Sequence, residues 1–289
     1  IETVDVKPKE EIMILVGDES AQHVEKLIPY LNNKNIKFFG GIYPRLLVGN
    51  KYYSEGFIVQ KYKPIYSSII LPYLMPFKLD AEQLQDSTAI VLVDGLSSKM
   101  KALTDTIYDK LGNSVKYIGG GAGYYNLKHK PCIFTNKGIF KDVSYVCIVK
   151  AHIEIGVKHG WKRLEGPFFV TKAEDNVLSE LDSENAFEVY KHIIEEEENV
   201  ALFSGDFFMY AKDYPFGIVQ NDLTDVVRDP IAINENHEII CVANIPQGSD
   251  VYVLKGDAET LLRASSKIAE QCAKDTLPFF LIVFPEQCF

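Results

Sequence analysis

Three groups of residues in this chain have types and spacing suited to chemistry. The first is Gly119-Gly120-Gly121-Ala122-Gly123, followed by Tyr124 and Tyr125. Glycines let a backbone approach a small ligand closely, and they equally serve a tight strand exit where side chains would collide. Both readings stand. A dinucleotide loop needs G-x-G-x-x-G opening a helix. Here Tyr124 takes the third glycine's place and a hairpin pattern follows. The chain also lacks a GK[ST] sequence, so no helix N-terminus is offered to a pyrophosphate, and nucleotides are expected not to bind. The second group is His159-Gly160-Trp161, which holds the single tryptophan. It reads either as a core anchor for a turn or as a pocket wall with an imidazole beside it. The third is Val226-Val227-Arg228-Asp229-Pro230. An arginine in an apolar strand must be paired or must face a cavity. It either bridges to Asp229 or a glutamate, or forms a fork for a ligand carboxylate.

Other chemistries find less support. His152 and His159 lie on opposite faces of an alternating segment with no partner cluster nearby, so no metal is expected. No G-x-S-x-G elbow is present. Cys147 sits in an apolar strand and reads as a small buried hydrophobe. No catalytic residue is singled out, and no cofactor is expected.

The elements that must position these residues begin with a repeat. Residues 12–16 (IMILV) are an apolar strand, and Ser20 is placed to cap a helix carrying Val24, Leu27, Ile28 and Leu31. Pro29 should kink or shorten that helix. A strand from Ile36 ends in Gly40-Gly41, and residues 50–60 supply another. The same order returns with residues 89–93 (AIVLV) and a helix capped by Ser97 or Ser98. Residues 115–118 then lead into the glycine run. A hairpin over 131–149 follows, with IFKDVSYVCIV as its second arm. Leu15 and Leu92 are 77 positions apart, and Gly40 and Gly119 are 79 apart. This spacing predicts duplicated β-α-β-β units, 12–60 and 89–149, in which Gly40 and Gly119 are equivalent.

Beyond the repeat, residues 152–158 alternate as a half-exposed strand, and 166–172 read as the next. A helix is expected from Ser183 as cap, then strands over 200–204, 225–232, 238–243 and 251–254, a helix from Asp257, and an apolar strand over 277–284. The fold class is α+β or mixed α/β, with mixed sheets packed together and helices outside.

Composition narrows the classes further. The 289 residues are 47% hydrophobic and 24% charged, which excludes disorder, collagen and coiled coil. Acidic residues outnumber basic ones 40 to 30, a net charge of −10. Neither nucleic acid nor an anionic membrane is an expected partner. No run approaches the ~20 apolar residues of a membrane-spanning helix. The first ten residues hold no apolar signal core, and the start at Ile1 reads as a trimmed leader or a fragment. Five cysteines without a CxxC pair argue against a disulfide framework, which points to the cytoplasm.

Taken together, several segments resemble the FIST domain family (F-box and intracellular signal transduction) from about residue 11 to the end. They are Gly119–Gly123, Gly156–Trp161, Val170–Val177 continuing to Glu180-Leu181-Asp182, Tyr214–Gly217, Val227–Pro230 and Ile245–Gly248. The resemblance implies a FIST N-like region over 11–182 and a FIST C-like region over 183–289. The latter looks incomplete, because the family's C-terminal part normally continues for a further β-α-β stretch. The glycine loop of the family usually ends in an acidic residue, where this chain has Tyr124. The family looks like a sensory module proposed to bind small ligands such as amino acids, without established catalysis. The expectation is therefore a small-ligand sensor signalling to a partner protein in trans, with a homodimer also admitted. An enzyme with His159, Lys172 and Glu180 near a polar cleft, or a protein-interaction scaffold, are the alternatives. The expected ligand site gathers Arg228, His159 and Lys172 near Gly119, Gly120 and Gly121. Trp161 lies beside it, and Glu180 or Asp182 receives an ammonium group.

Overall fold

The computed structural model describes residues 5–151, 153–156, 158–219 and 225–273. The chain divides after Ile155 into two compact units.

In the first unit, β1 (Glu11–Gly17) leads through a short 3₁₀ turn to α1 (Val24–Asn33) and β2 (Phe38–Tyr43). A small hairpin, β3 (Leu46–Val48) and β4 (Lys51–Tyr53), precedes β5 (Phe57–Tyr62) and β6 (Pro64–Ile70). After α2 (Ala81–Leu84) the same order recurs as β7 (Ser87–Asp94), α3 (Met100–Leu111) and β8 (Lys116–Ala122). Then come β9 (Ile133–Thr135), β10 (Gly138–Phe140) and β11 (Ser144–Lys150). One sheet has the order β10-β9-β2-β1-β5 and the other β6-β11-β7-β8.

The two repeats use one design. β1 pairs parallel with β2 and antiparallel with β5; β7 pairs parallel with β8 and antiparallel with β11. Gly40 is opposite Ile14 and Gly119 opposite Val91, so the glycines and their partners both carry the repeat offset. The strands are apolar on both faces because each sheet is covered twice. One core takes Ile14, Phe39, Leu92, Phe134 and Cys147, with the Phe39 and Tyr145 rings stacked 4.4 Å apart. A second core lies under α3 and holds Ile107, Leu111, Val146 and Ile148.

Local details differ from the sequence reading. IFKDVSYVCIV is not one arm. It breaks at Asp142, whose positive φ of 57° turns the chain, so β10 joins the first sheet and β11 the second. Ser20 does not cap α1; its hydroxyl accepts from the Gly56 N–H at 2.9 Å, bracing the turn before β5. Ser97 caps the approach to α3 by accepting from the Lys99 N–H at 3.1 Å.

In the second unit, β12 (Lys162–Glu174) is the long organising strand. It is followed by β13 (Val177–Leu181), β14 (Glu184–Asn185) and α4 (Ala186–Glu198). Asn185, not Ser183, is the cap of α4: its side chain accepts from the N–H groups of Phe187 and Glu188. Next come α5 (Phe207–Ala211), β15 (Phe216–Ile218), β16 (Val226–Arg228), β17 (Pro230–Ile233), β18 (Ile239–Cys241), β19 (Asp250–Lys255) and α6 (Ala258–Cys272). α6 opens at Asp257, as its spacing predicts, with an Asp257–Thr260 capping box.

The strand order is β16-β15-β19-β12-β13-β18-β17, with β14 beside β13. β16 passes into β17 through Asp229 alone, so the two ends of this order meet and the sheet bends round on itself. Its core holds Tyr190, Phe207, Phe216 and Val253, and the Tyr190 hydroxyl donates to the Tyr214 carbonyl at 2.7 Å. Two expected strands do not form. Among the described residues of 152–158 there is no ladder, and His152 and Val157 lie outside those described. This segment is where the chain passes from one unit to the next. Val200–Phe203 is also unpaired, because the Leu202 N–H is taken by the Glu195 carboxylate at 2.8 Å. The expected strand over 277–284 lies outside the described residues.

Arg163 on β12 grips the buried Asp225 with two bonds, Nε to Oδ2 at 2.8 Å and Nη2 to Oδ1 at 2.6 Å, and lies over the Tyr252 ring. Losing one partner of a buried pair costs more than the pair contributes, because the other charge stays buried. Arg163→Met is expected to destabilise the protein by about 2 kcal/mol, reduced from the fully buried case because Arg163 is itself half-exposed. Arg163→Met/Asp225→Asn should recover most of that loss in chemical denaturation. Equal losses in the single and double variants would refute this account.

Candidate functional site

The carboxyl end of β7 carries the most concentrated polar chemistry in the first unit. Asp94 is the last residue of β7, and its side chain is 1% exposed. The run before it is apolar, which drives the strand into the core and takes the carboxylate in with it. Three groups meet that carboxylate. The Asp142 N–H donates to Oδ2 at 2.7 Å, the Leu96 N–H donates to Oδ1 at 3.3 Å, and His129 Nε2 lies 2.8 Å from Oδ2. Asp142 approaches from the β10–β11 corner. Its Oδ1 accepts from the Ser97 hydroxyl at 2.6 Å and lies 3.7 Å from His129 Nε2.

His129 comes from the loop between β8 and β9. That loop is braced by the Gly123 N–H on the Ile42 carbonyl, the Tyr124 hydroxyl on the Pro131 carbonyl, and Lys130 over the Tyr124 ring. The side chains of His129 and Asp142 are 31% and 27% exposed, so solvent reaches the cluster through these two residues while Asp94 stays buried. Behind it, burial and then the Asp94 charge push the Cys132 thiol up, which keeps it protonated.

The glycines expected at the site belong to β8. An ideal Cβ on Gly119 would fall 1.7 Å from the Val91 carbonyl oxygen, and one on Gly121 would fall 3.0 Å from Gly95 Cα. The small size of these two residues is therefore used in close backbone packing. Gly120 lies between them, opposite Leu92.

The remaining expected residues lie in the second unit. Arg228 donates Nε to the Asn244 carbonyl at 2.9 Å and Nη1 to the Val227 carbonyl at 2.8 Å, tying the edge strand to the loop after β18. Lys172 and Glu180 face each other across β12 and β13, where the Thr171 hydroxyl donates to Glu180 at 3.5 Å. Nearby, hydrogen bonds from Ser179 and then Asn234 hold the Glu238 carboxyl below the usual carboxylate range. Trp161 is buried against Gly256, and both ring nitrogens of His159 are buried without a hydrogen-bond partner.

The structure brings Lys172 and Glu180 together on paired strands, and His159 and Trp161 remain neighbours only in sequence. It does not bring these two pairs together. His159 and Trp161 precede the first residue of β12, whereas Lys172 lies near the end of its 13 residues. Two short strands running side by side would have joined them; one long strand separates them. Asp94, His129 and Asp142 escaped the sequence reading because they are scattered over 49 positions. The available signal was a pair of aspartates that each close or interrupt an apolar run.

The FIST N domain model matches residues 54–184 and the FIST C domain model matches residues 186–288. Together they cover most of the chain, which belongs to the FIST domain family. That family is associated with signal transduction. No curated protein and no solved structure matches the chain. Among the described residues, no helix is long and apolar enough to cross a membrane.

Proposed function

We propose that the chain is a non-catalytic sensory domain of a cytoplasmic signalling pathway, and that it binds a small ligand of the amino-acid class at the carboxyl end of β7 and β8. The observation that carries this reading is the buried Asp94 carboxylate with half-exposed His129 and Asp142 set over it. Ligands of α/β sheets sit outside the carboxyl ends of parallel strands. Two carboxylates beside one imidazole suit a ligand's ammonium group. The signal passes to a partner protein in trans. For that contact the hairpin β3–β4 offers Leu47, Val48, Tyr52 and Tyr53, which are 46% to 66% exposed.

A thermal-shift screen against the common amino acids should give a dose-dependent rise in melting temperature. Asp142→Asn should weaken that binding by more than tenfold, since one charge-assisted bond is worth roughly 1.5–3 kcal/mol. No shift with any amino acid at millimolar concentration, or a shift that Asp142→Asn leaves unchanged, would remove this reading.

A further inference from the structure

The Asp94–His129–Asp142 cluster is the one place among the described residues where three metal-type donor atoms lie within 4.8 Å of one another. We propose that these three side chains bind a divalent transition-metal ion of the zinc class, through His129 Nε2, an Asp94 oxygen and an Asp142 oxygen. The inference rests on the reading of this cluster as the binding site, but not on the ligand being an amino acid: with the ion in place its charge takes the part given above to the ammonium group, and an amino acid binds through the ion instead.

The donor spacing fits. An ion held at 2.0–2.2 Å by tetrahedral donors separates them by about 3.3–3.6 Å. Here the nitrogen is 2.8 Å from one oxygen and 3.7 Å from the other. Movements of about half an ångström reach the coordinated arrangement. The donor types agree as well: one imidazole with two carboxylates suits zinc, manganese or iron(II), whereas magnesium and calcium prefer all-oxygen cages.

The outer contacts are already in place. Asp142 is oriented by the Ser97 hydroxyl, and Asp94 by the N–H groups of Leu96 and Asp142. Such partners fix the direction of metal ligands. The charge balance points the same way. Two carboxylates converge on one imidazole nitrogen, one of them fully buried, and a divalent cation removes the repulsion between them. Three protein donors leave a fourth position open on the exposed side. There an amino acid's amine or carboxylate can reach the ion.

The test uses tag-free full chain stripped with a chelator. Isothermal titration with zinc chloride should show one ion per chain with micromolar or tighter affinity, and magnesium chloride should show none. Cobalt(II) added instead should give visible bands of low-coordinate character. His129→Gln and Asp142→Asn, both at partly exposed positions and checked for native circular dichroism, should each weaken zinc binding by more than tenfold. Absence of saturable zinc binding, or binding that neither variant changes, overturns the proposal. If zinc binds and no amino acid shifts the melting temperature, the metal site stands and the sensing reading falls. If amino acids bind the stripped protein and zinc does not bind, the metal site falls alone.

Discussion

Gly119→Ala is expected to destabilise the protein by about 3 kcal/mol or more, enough to leave much of it unfolded at room temperature. The added methyl carbon would fall 1.7 Å from the Val91 carbonyl oxygen and 2.7 Å from its carbon. Both are backbone atoms of the central strand, so no rotamer change relieves the overlap. The β7–β8 ladder has to part, and the apolar surface beneath it is exposed. Gly40→Ala should behave alike, because its Cβ would meet the Ile14 carbonyl oxygen at 2.1 Å and the Phe134 ring at 2.3 Å. Gly205→Ala is the control: nothing lies within 4 Å of its Cβ, and it should stay within about 0.5 kcal/mol of the parent. Urea midpoints at constant slope read all three. A Gly119→Ala protein within about 1 kcal/mol of the parent would show that the strands separate more easily than the packing indicates.

The second large effect is alkaline unfolding. Burial is the first cause that pushes the phenols of Tyr62, Tyr117, Tyr124 and Tyr214 up to about 12, and it raises fully buried Tyr190 as well. At Tyr214 the hydrogen bond to the Glu198 carboxylate adds to the rise. In the unfolded chain these groups titrate near 10. The folded state holds the proton more tightly, so its stability is complete below about pH 10 and is lost as pH climbs toward 12. A rise of two pH units would be worth about 2.7 kcal/mol at a fully buried phenol; solvent screening makes it smaller at the partly exposed Tyr62, Tyr117 and Tyr124, so the loss accumulates over several phenols and rests on no single one. Absorbance at the phenolate band and far-ultraviolet circular dichroism should therefore change together, with a midpoint above 10. Phenols that ionise near 10 while the dichroism stays native would contradict this. Tyr62 has no hydrogen-bond partner for its buried hydroxyl. Tyr62→Phe should therefore keep neutral stability and move the alkaline midpoint upward.

The sequence made the repeat legible because hydrophobic runs and glycines recur at nearly fixed offsets, and those offsets are the register of Ile14 with Gly40 and of Val91 with Gly119. The capping of α6 was equally local, since Asp257 and Thr260 are three residues apart. Strand partners were not legible. Nothing local to 133–140 says that β9 will lie beside β2 rather than β8, because that choice depends on which edge the folded sheet leaves open. Periodicity also misled at 152–158, where alternation exists without a neighbour to bond. The site suffered most. Arg228 invited a ligand role by its apolar surroundings, yet it bonds to the carbonyl of its neighbour Val227 and to that of Asn244, which only folding brings to it. The cluster around Asp94 depends on a left-handed turn at Asp142 and a long loop at His129, neither of which carries a periodic signal.

The placement of β6 and β9–β10 makes the two repeats depend on each other. β6 follows the first repeat but closes the edge of β11 in the second. β9–β10 belongs to the second repeat but closes the edge of β2 in the first. Neither repeat completes its own sheet: without the other, β2 and β11 would each present an open strand edge, which recruits other chains. The two repeats are therefore obliged to fold together, and a substitution at either borrowed edge is felt in the other repeat's sheet.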